Sequence, residues 1–195
     1  TLSSSSAASD VYKRQTIGGG YRNMADTTYA TVGGGYTNTA SAYMGTVAGG
    51  YLNTVSGYTS GTIGGGWSNT ASGDFATIGG GSFNTASSYQ TVVGGGWRNT
   101  ASGWGAAVGG GYVDTAMGNF SGVFSGYGNQ AGDAITDTGA VVAGGSNNRA
   151  LDNYSSIAGG HNNTAIGYSA TIGGGENNTA SGPYSIVAGG RQNYN

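Results

Sequence analysis

The sequence predicts an all-β fold, a parallel β-solenoid or β-roll of about 12 coils, and three observations predict it. A phrase of fifteen residues recurs along the chain, as in TIGGGWSNTASGDFATIGGGSFNTAS over residues 62–87. Within that phrase one column is always β-branched and another is almost always alanine. Glycine supplies 43 of the 195 residues, whereas proline occurs once and cysteine never.

The period comes first. Anchoring on the Asn of NTAS places Asn23, Asn38, Asn53, Asn69, Asn84, Asn99, Asp114, Asn129, Asn148, Asn163, Asn178 and Asn193 in one column. Successive anchors are 15 residues apart, except for 16 before Asn69 and 19 before Asn148. The longer insertion falls around residues 133–139. A fixed period of this kind marks a repeat architecture. Fifteen residues are too few for a helical hairpin, but they suit one coil with two short strands and two tight corners.

The first strand of each coil is read from the column six residues before the anchor. It holds Ile17, Val32, Val47, Ile63, Ile78, Val93, Val108, Val123, Val142, Ile157, Ile172 and Val187. Every member is β-branched, as a buried strand position favours. The second strand is read two residues after the anchor, at Ala25, Ala40, Val55, Ala71, Ala86, Ala101, Ala116, Ala131, Ala150, Ala165 and Ala180. A branched aliphatic facing alanine across a thin interior gives a flattened coil. Coils stacked at about 4.8 Å turn each column into a continuous ladder, whose burial offsets the entropy lost by ordering so many glycines.

The corners follow. Gly64–Gly66 and their equivalents leave the aliphatic strand and enter a turn, where a missing Cβ permits positive φ or close approach. The anchor Asn is expected on the far side of that turn, in a left-handed conformation that Asn tolerates. Stacked Asn side chains can also hydrogen-bond from coil to coil, so the anchors from Asn23 to Asn178 are read as a structural ladder. One aromatic column stands at Tyr21, Tyr36, Tyr51, Trp67, Trp97, Tyr112 and Tyr127. A second follows the other corner at Tyr29, Tyr43, Tyr58, Phe75, Tyr89, Trp104, Phe120, Tyr154, Tyr168 and Tyr184. Both are expected to be packing ladders, with carbohydrate stacking or self-association as the alternative.

Composition excludes several classes. No glycine recurs at every third position and proline is nearly absent, so the chain is not collagen-like. Hydrophobic residues at 36% and aromatics at 11% argue against a disordered tail. With 7% charged residues and a net charge of −2 there is no basic face for nucleic acid. No apolar run is long enough to span a bilayer, and no basic amphipathic helix could lie on one, so no membrane insertion is expected in this segment. Without cysteine there is neither a disulfide framework nor thiol chemistry.

The opening residues 1–15 break every pattern that follows. Ser5–Gln15, SSAASDVYKRQ, resembles the in-frame translation of an adapter used in preparing sequencing libraries. This stretch is therefore read as a non-native artefact and residues 16–195 as the solenoid repeat domain. The chain is expected to be part of a longer reading frame whose two true ends are missing.

No chemistry converges on the repeat. A phosphate loop needs Gly-Lys-Ser/Thr, which is absent, and a dinucleotide fingerprint needs a third glycine where this phrase has Asn. Calcium-binding nonapeptide repeats need an Asp in every turn, and Asp114 alone occupies the anchor column. Asp26, Asp74, Asp133, Asp137, Asp152 and Glu176 are scattered singly, apart from the pair in the insertion, where a glycosidase dyad is conceivable but a solvated loop is expected. His161 replaces an aromatic and has no second histidine, so a surface or packing role is expected. No catalytic residue, cofactor or metal is expected, and an enzyme is not.

One pattern suggests binding. With alanine pointing inward, Thr39 and Ser41, Thr54 and Ser56, Thr70 and Ser72, Thr85 and Ser87, and Thr100 and Ser102 should all point outward. They would form a two-rank hydroxyl array, about 4.8 Å along the axis and roughly 7 Å across. Such an array resembles the flat threonine faces with which several β-solenoid ice-binding proteins order water. The plainer alternative is cross-strand packing on a polar or inter-chain face.

The phrase ASGDFATIGGGSFNTASS resembles the head repeats of trimeric autotransporter adhesins and the shafts of phage tail-fibre-like proteins. ATIGGG (Ala76–Gly81) takes the place of that family's Ser-x-Ala-Ile-Gly element, and NTASG (Asn69–Gly73) that of its spaced alanines. The resemblance covers residues 16–195 and implies a left-handed parallel β-roll in which three chains pack side by side. The departures are a period of fifteen rather than fourteen residues, the extra glycine and the Asn. The trimer also has an independent argument, since a thin core without disulfides or metal usually needs association. The expected function is a structural or adhesive extracellular fibre segment, at a cell surface or on a virion. It would be a homotrimer, with a host surface or matrix component as its ligand. Ice binding is the alternative.

Overall fold

The computed structural model describes residues 14–195, so the segment read as an artefact lies outside the described residues except for Arg14 and Gln15. Two parallel sheets make up the chain, one of twelve strands and one of eleven, and together they wind about eleven turns. Every strand is two residues long. In the aliphatic sheet each Val or Ile pairs with its counterpart one coil on, as in Thr31↔Thr46 and Val32↔Val47. In the alanine sheet Thr85 pairs with Thr100 and Ala86 with Ala101. The twelfth coil has no second strand, and its Tyr194 makes only an isolated bridge to Thr179.

In both sheets the first strand residue faces out and the second faces in. Val32, Ile63, Ile78, Ala71 and Ala86 are fully buried, while their neighbours Thr31, Thr77, Thr70 and Thr85 stay half-exposed. The interior is richer than one aliphatic and one alanine per coil. A third inward column, eight residues before the anchor, holds Ala30, Gly45, Gly61, Ala76, Thr91, Ala106, Ser121, Ala140, Ser155 and Ala170, all buried. The anchor Asn is a fourth, with Asn38, Asn53, Asn69 and Asn84 at 0% exposure. Coil spacing leaves room for only small side chains in the third column, and the chain respects that volume. Where Val55 replaces alanine, the facing residues are Gly45 and Gly61, whose absent Cβ atoms would lie 3.1 and 2.6 Å from Val55 Cγ1.

The glycine corner differs from expectation in one respect. Its last glycine does take positive φ, as at Gly81 (+86°), where a Cβ would run into the carbonyl oxygen of Gly96 and lie 2.7 Å from Asn84 Nδ2. The left-handed residue beyond it, however, is not the anchor Asn. It is the residue just before, including Thr37 (φ 54°), Leu52 (56°), Phe83 (58°) and Val113 (58°). Asn is instead rotated inward, because its amide is worth more inside, where it satisfies backbone groups, than in the turn.

The second aromatic column is also two adjacent columns. Phe75 and Tyr154 sit at the left-handed position of the other corner (φ 57° and 58°). Tyr43, Tyr89 and Tyr168 sit one place earlier, beside Met44, Gln90 and Ser169, which hold the positive φ. The rings are divided between these places and mostly meet edge-on, as for Tyr29 and Tyr43 at 5.8 Å and 83°. Both insertions lie in this same corner, between Val55 and Thr62 and between Ala131 and Val141. The glycine–Asn corner therefore runs through them unchanged.

Candidate functional site

The anchor column is one continuous amide row. Asn84 N–H donates to Asn69 Oδ1 at 2.9 Å. Asn84 Nδ2 donates to Gly80 O in its own coil at 3.0 Å and to Gly96 O in the next at 3.0 Å. The next Asn repeats the pattern, and the row crosses both insertions, with Asn69 N–H to Asn53 Oδ1 and Asn148 N–H to Asn129 Oδ1 each at 3.0 Å. Each buried amide thus has its donors and acceptor engaged, which removes the penalty that a buried polar group otherwise carries. The Asn side chains from Asn23 to Asn178 are thus joined coil to coil by hydrogen bonds, with Asp114 standing among them.

Asp114 is the exception in the row. Its N–H still donates to Asn99 Oδ1 at 2.9 Å, and its Oδ1 still accepts from Asn129 N–H at 2.7 Å. Oδ2 occupies the place of the amide nitrogen, is buried, and has no hydrogen-bond partner. In the preceding coil Asn99 Nδ2 donates to Gly95 O and Gly111 O at 2.8 and 3.0 Å; at Asp114 the corresponding Gly110 O and Gly126 O go without that side-chain donor, and Gly126 O keeps the Tyr112 N–H at 2.9 Å. The flanking corner is opened accordingly, with φ at Gly111 and Gly126 reaching 110° and 132° against 90° at Gly96 and 89° at Gly145. Burial pushes the Asp114 carboxyl above its ordinary range, and the hydrogen bonds from Asn129 only partly oppose this.

The hydroxyl ranks are where the sequence placed them. Thr39, Thr54, Thr70, Thr85 and Thr100 lie in register on the outside of the alanine sheet and are half-buried. Beside them Ser56, Ser72 and Ser87 are exposed and Ser41 and Ser102 half-exposed. Sequence reasoning missed a matching run on the opposite sheet, Thr16, Thr31, Thr46, Thr62 and Thr77, also in register. The signal was available in the TI and TV dipeptides, where the threonine precedes each buried aliphatic.

The first aromatic column is a surface stack. Tyr21, Tyr36 and Tyr51 lie face to face, 5.0 and 5.1 Å apart, as do Trp97, Tyr112 and Tyr127 at 4.3 and 5.2 Å. Ser82 would break the stack, but Phe83 turns its ring into the gap, 4.9 Å from Trp67. After Tyr127 the column continues as Ser146, His161, Glu176 and Arg191, with an exposed ion pair of 3.4 Å between Arg191 and Glu176. His161 lies in this outer column.

In the insertion Asp137 Oδ2 accepts the N–H groups of Asp133 and Ala134, each at 2.9 Å. A hydrogen bond to the Asp137 side chain holds the exposed Asp133 carboxyl above its ordinary range. Among the described residues no three His, Cys, Asp or Glu side chains gather to hold a metal ion, and no helix is long and apolar enough to cross a membrane. Compared with known proteins, the chain matches no protein-family model and no curated sequence.

Proposed function

We propose that this chain is a shaft or head segment of an extracellular fibre, a stiff spacer built from parallel homotrimers. The observation that carries the reading is unbroken register. The same columns pair from Thr16↔Thr31 to Ile172↔Val187, across both insertions. Each coil contacts its neighbours through identical groups, so stiffness and stability accumulate coil by coil. Association is supported by the outer ring stack, in which Tyr21, Tyr36, Tyr51, Trp67 and Tyr127 remain 41–54% exposed. A contiguous apolar stripe of this kind favours a partner surface. Light scattering after size exclusion tests the reading: a mass of three chains is expected, and a stable monomer overturns the trimer.

A second reading, ice binding, is favoured by one observation, the in-register threonine runs on both sheets. Inhibition of ice recrystallisation by the chain, lost in Thr70→Tyr, is the result that would displace the fibre reading.

A further inference from the structure

One place on the surface departs from the ladder pattern. At the corner beyond the alanine sheet three successive coils present an outward polar residue (Asp26, Ser41, Ser56), followed by Thr27, Ala42 and Gly57 and then by Thr28, Tyr43 and Tyr58. Gly57 forms the floor and is buried. With nothing tall between the walls, an open cleft of about 830 Å³ runs across the coils from Asp26 to Thr59. That size lies within the range of small-ligand sites.

Tyr58 makes the cleft distinctive. Its corner carries the extra residue of the sixteen-residue coil, and the neighbouring coil pins it. Asp74 Oδ1 accepts the N–H of Tyr58 at 2.6 Å and of Thr59 at 3.1 Å. The Tyr58 ring is 87% exposed, against 42% for Tyr43 and 44% for Phe75. Rings at this corner in other coils pair edge-on, such as Phe75 with Tyr89 at 5.5 Å, whereas Tyr58 has no ring partner among the described residues. It therefore offers a free aromatic face on a fixed backbone. The stacked Tyr21, Tyr36 and Tyr51 offer no such face, because they cover one another at interplanar angles of 22° and 12°.

From these features we infer that the cleft binds a neutral saccharide, with Tyr58 as its stacking platform. The electron-rich ring face receives the C–H side of a sugar. Ser41, Ser56 and Thr59 exchange hydrogen bonds with its hydroxyls, and Asp26 adds a carboxylate at the rim. Among the described residues no Lys or Arg lines the cleft, so an anionic sugar would meet no cation there. The inference gives the adhesive reading a ligand class and rests on that reading for its purpose.

Saturation-transfer NMR and titration calorimetry on the full chain, with cellotetraose, maltotetraose and chitotetraose as neutral probes and tetragalacturonate as the charged one, test it. At least one neutral probe should bind. Its affinity should fall about ten-fold or more in Tyr58→Ala, persist in Tyr58→Trp, and be unchanged in Tyr184→Ala, an exposed ring distant from the cleft. Binding to none of the neutral probes, tighter binding of tetragalacturonate, or undiminished affinity in Tyr58→Ala would each overturn the proposal. The same samples are weighed by light scattering. A monomer that binds saccharide sinks the trimer and keeps this site, and a trimer that binds none does the reverse.

Discussion

Ahead of the amide row, the left-handed turn falls on Thr37, Leu52, Phe83 and Val113 in the coils before Tyr127, but on Asn147, Asn162 and Asn177 in the coils after it. Outside that turn the earlier coils carry stacked rings, and the later ones Ser146, His161, Glu176 and Arg191. The backbone is nevertheless the same, with φ of 54° at Thr37 and 55° at Asn162. A β-branched residue resists this conformation, and Asn does not. The turn is therefore not chosen by the residue that makes it. The interior row, which apart from Asp114 is the same in both regions, imposes it, and the surface then compensates either with ring stacking or with a residue suited to the turn.

The largest test of that comparison is to cut the row once in each region. Asn69→Ala would strand Gly65 O and the Asn84 N–H and leave Gly81 O with the Trp67 N–H alone, and Asn163→Ala would strand Gly159 O and the Asn178 N–H and leave Gly175 O with the His161 N–H alone. Each should cost about 3–5 kcal/mol, given roughly 1–3 per buried orphan group, as read by urea denaturation. Losses that differ several-fold between the two would show that the regions do not share one frame.

Asp114 lies close to the boundary between them, where the apolar interior divides into one cluster from Ala30 to Ala116 and another from Val123 to Val187. Among the described residues no charged side chain shifts its carboxyl. The neighbours in its column are Asn99 and Asn129, while Arg98, Tyr112 and Tyr127 belong to the outer surface. Because the folded pKa is raised, the protonated form stabilises the fold. That contribution is complete below the unfolded carboxylate range, near 3.9, and is lost as pH rises through the folded value. Asp114→Asn should restore the two missing donations, add about 1–3 kcal/mol at pH 7, and flatten the slope of stability above the unfolded carboxylate range. An unchanged slope would mean that the carboxyl does not titrate with folding.

The smallest effect concerns the turn itself. Val113→Asn should stabilise by about 1 kcal/mol and Asn162→Val destabilise by a similar amount. If Val113→Asn is neutral, the ring stack has already absorbed the difference there.

Much of this was legible in the sequence, because it was written in columns of one chemistry. Ile78 and Val93 fixed the aliphatic strand, Ala86 and Ala101 the other, and the Asn column its own row. What was missed lay in columns without common chemistry. The left-handed place reads Arg22, Thr37, Leu52, Ser68, so no residue preference announces it, and the turn was assigned to the Asn beside it. The third interior column mixes Ala76, Thr91, Gly61 and Ser121, which share only small volume. The two aromatic columns merged into one because their 14- and 17-residue steps, Tyr29 to Tyr43 and Tyr58 to Phe75, pass for drift in a 15-residue period. The cleft at Tyr58 depends on where an inserted residue is pinned, and spacing alone does not reveal Asp74 as the pin.

The amide row has an arrow. Every side-chain carbonyl from Asn23 to Asn178 faces the coil that follows it in sequence. Parallel amides of this kind polarise one another and add their dipoles, as peptide units do along a helix, while the sheets contribute little net moment. A rod whose outline repeats along its length is thus electrically a vector, and a charged neighbour meeting it can tell head from tail.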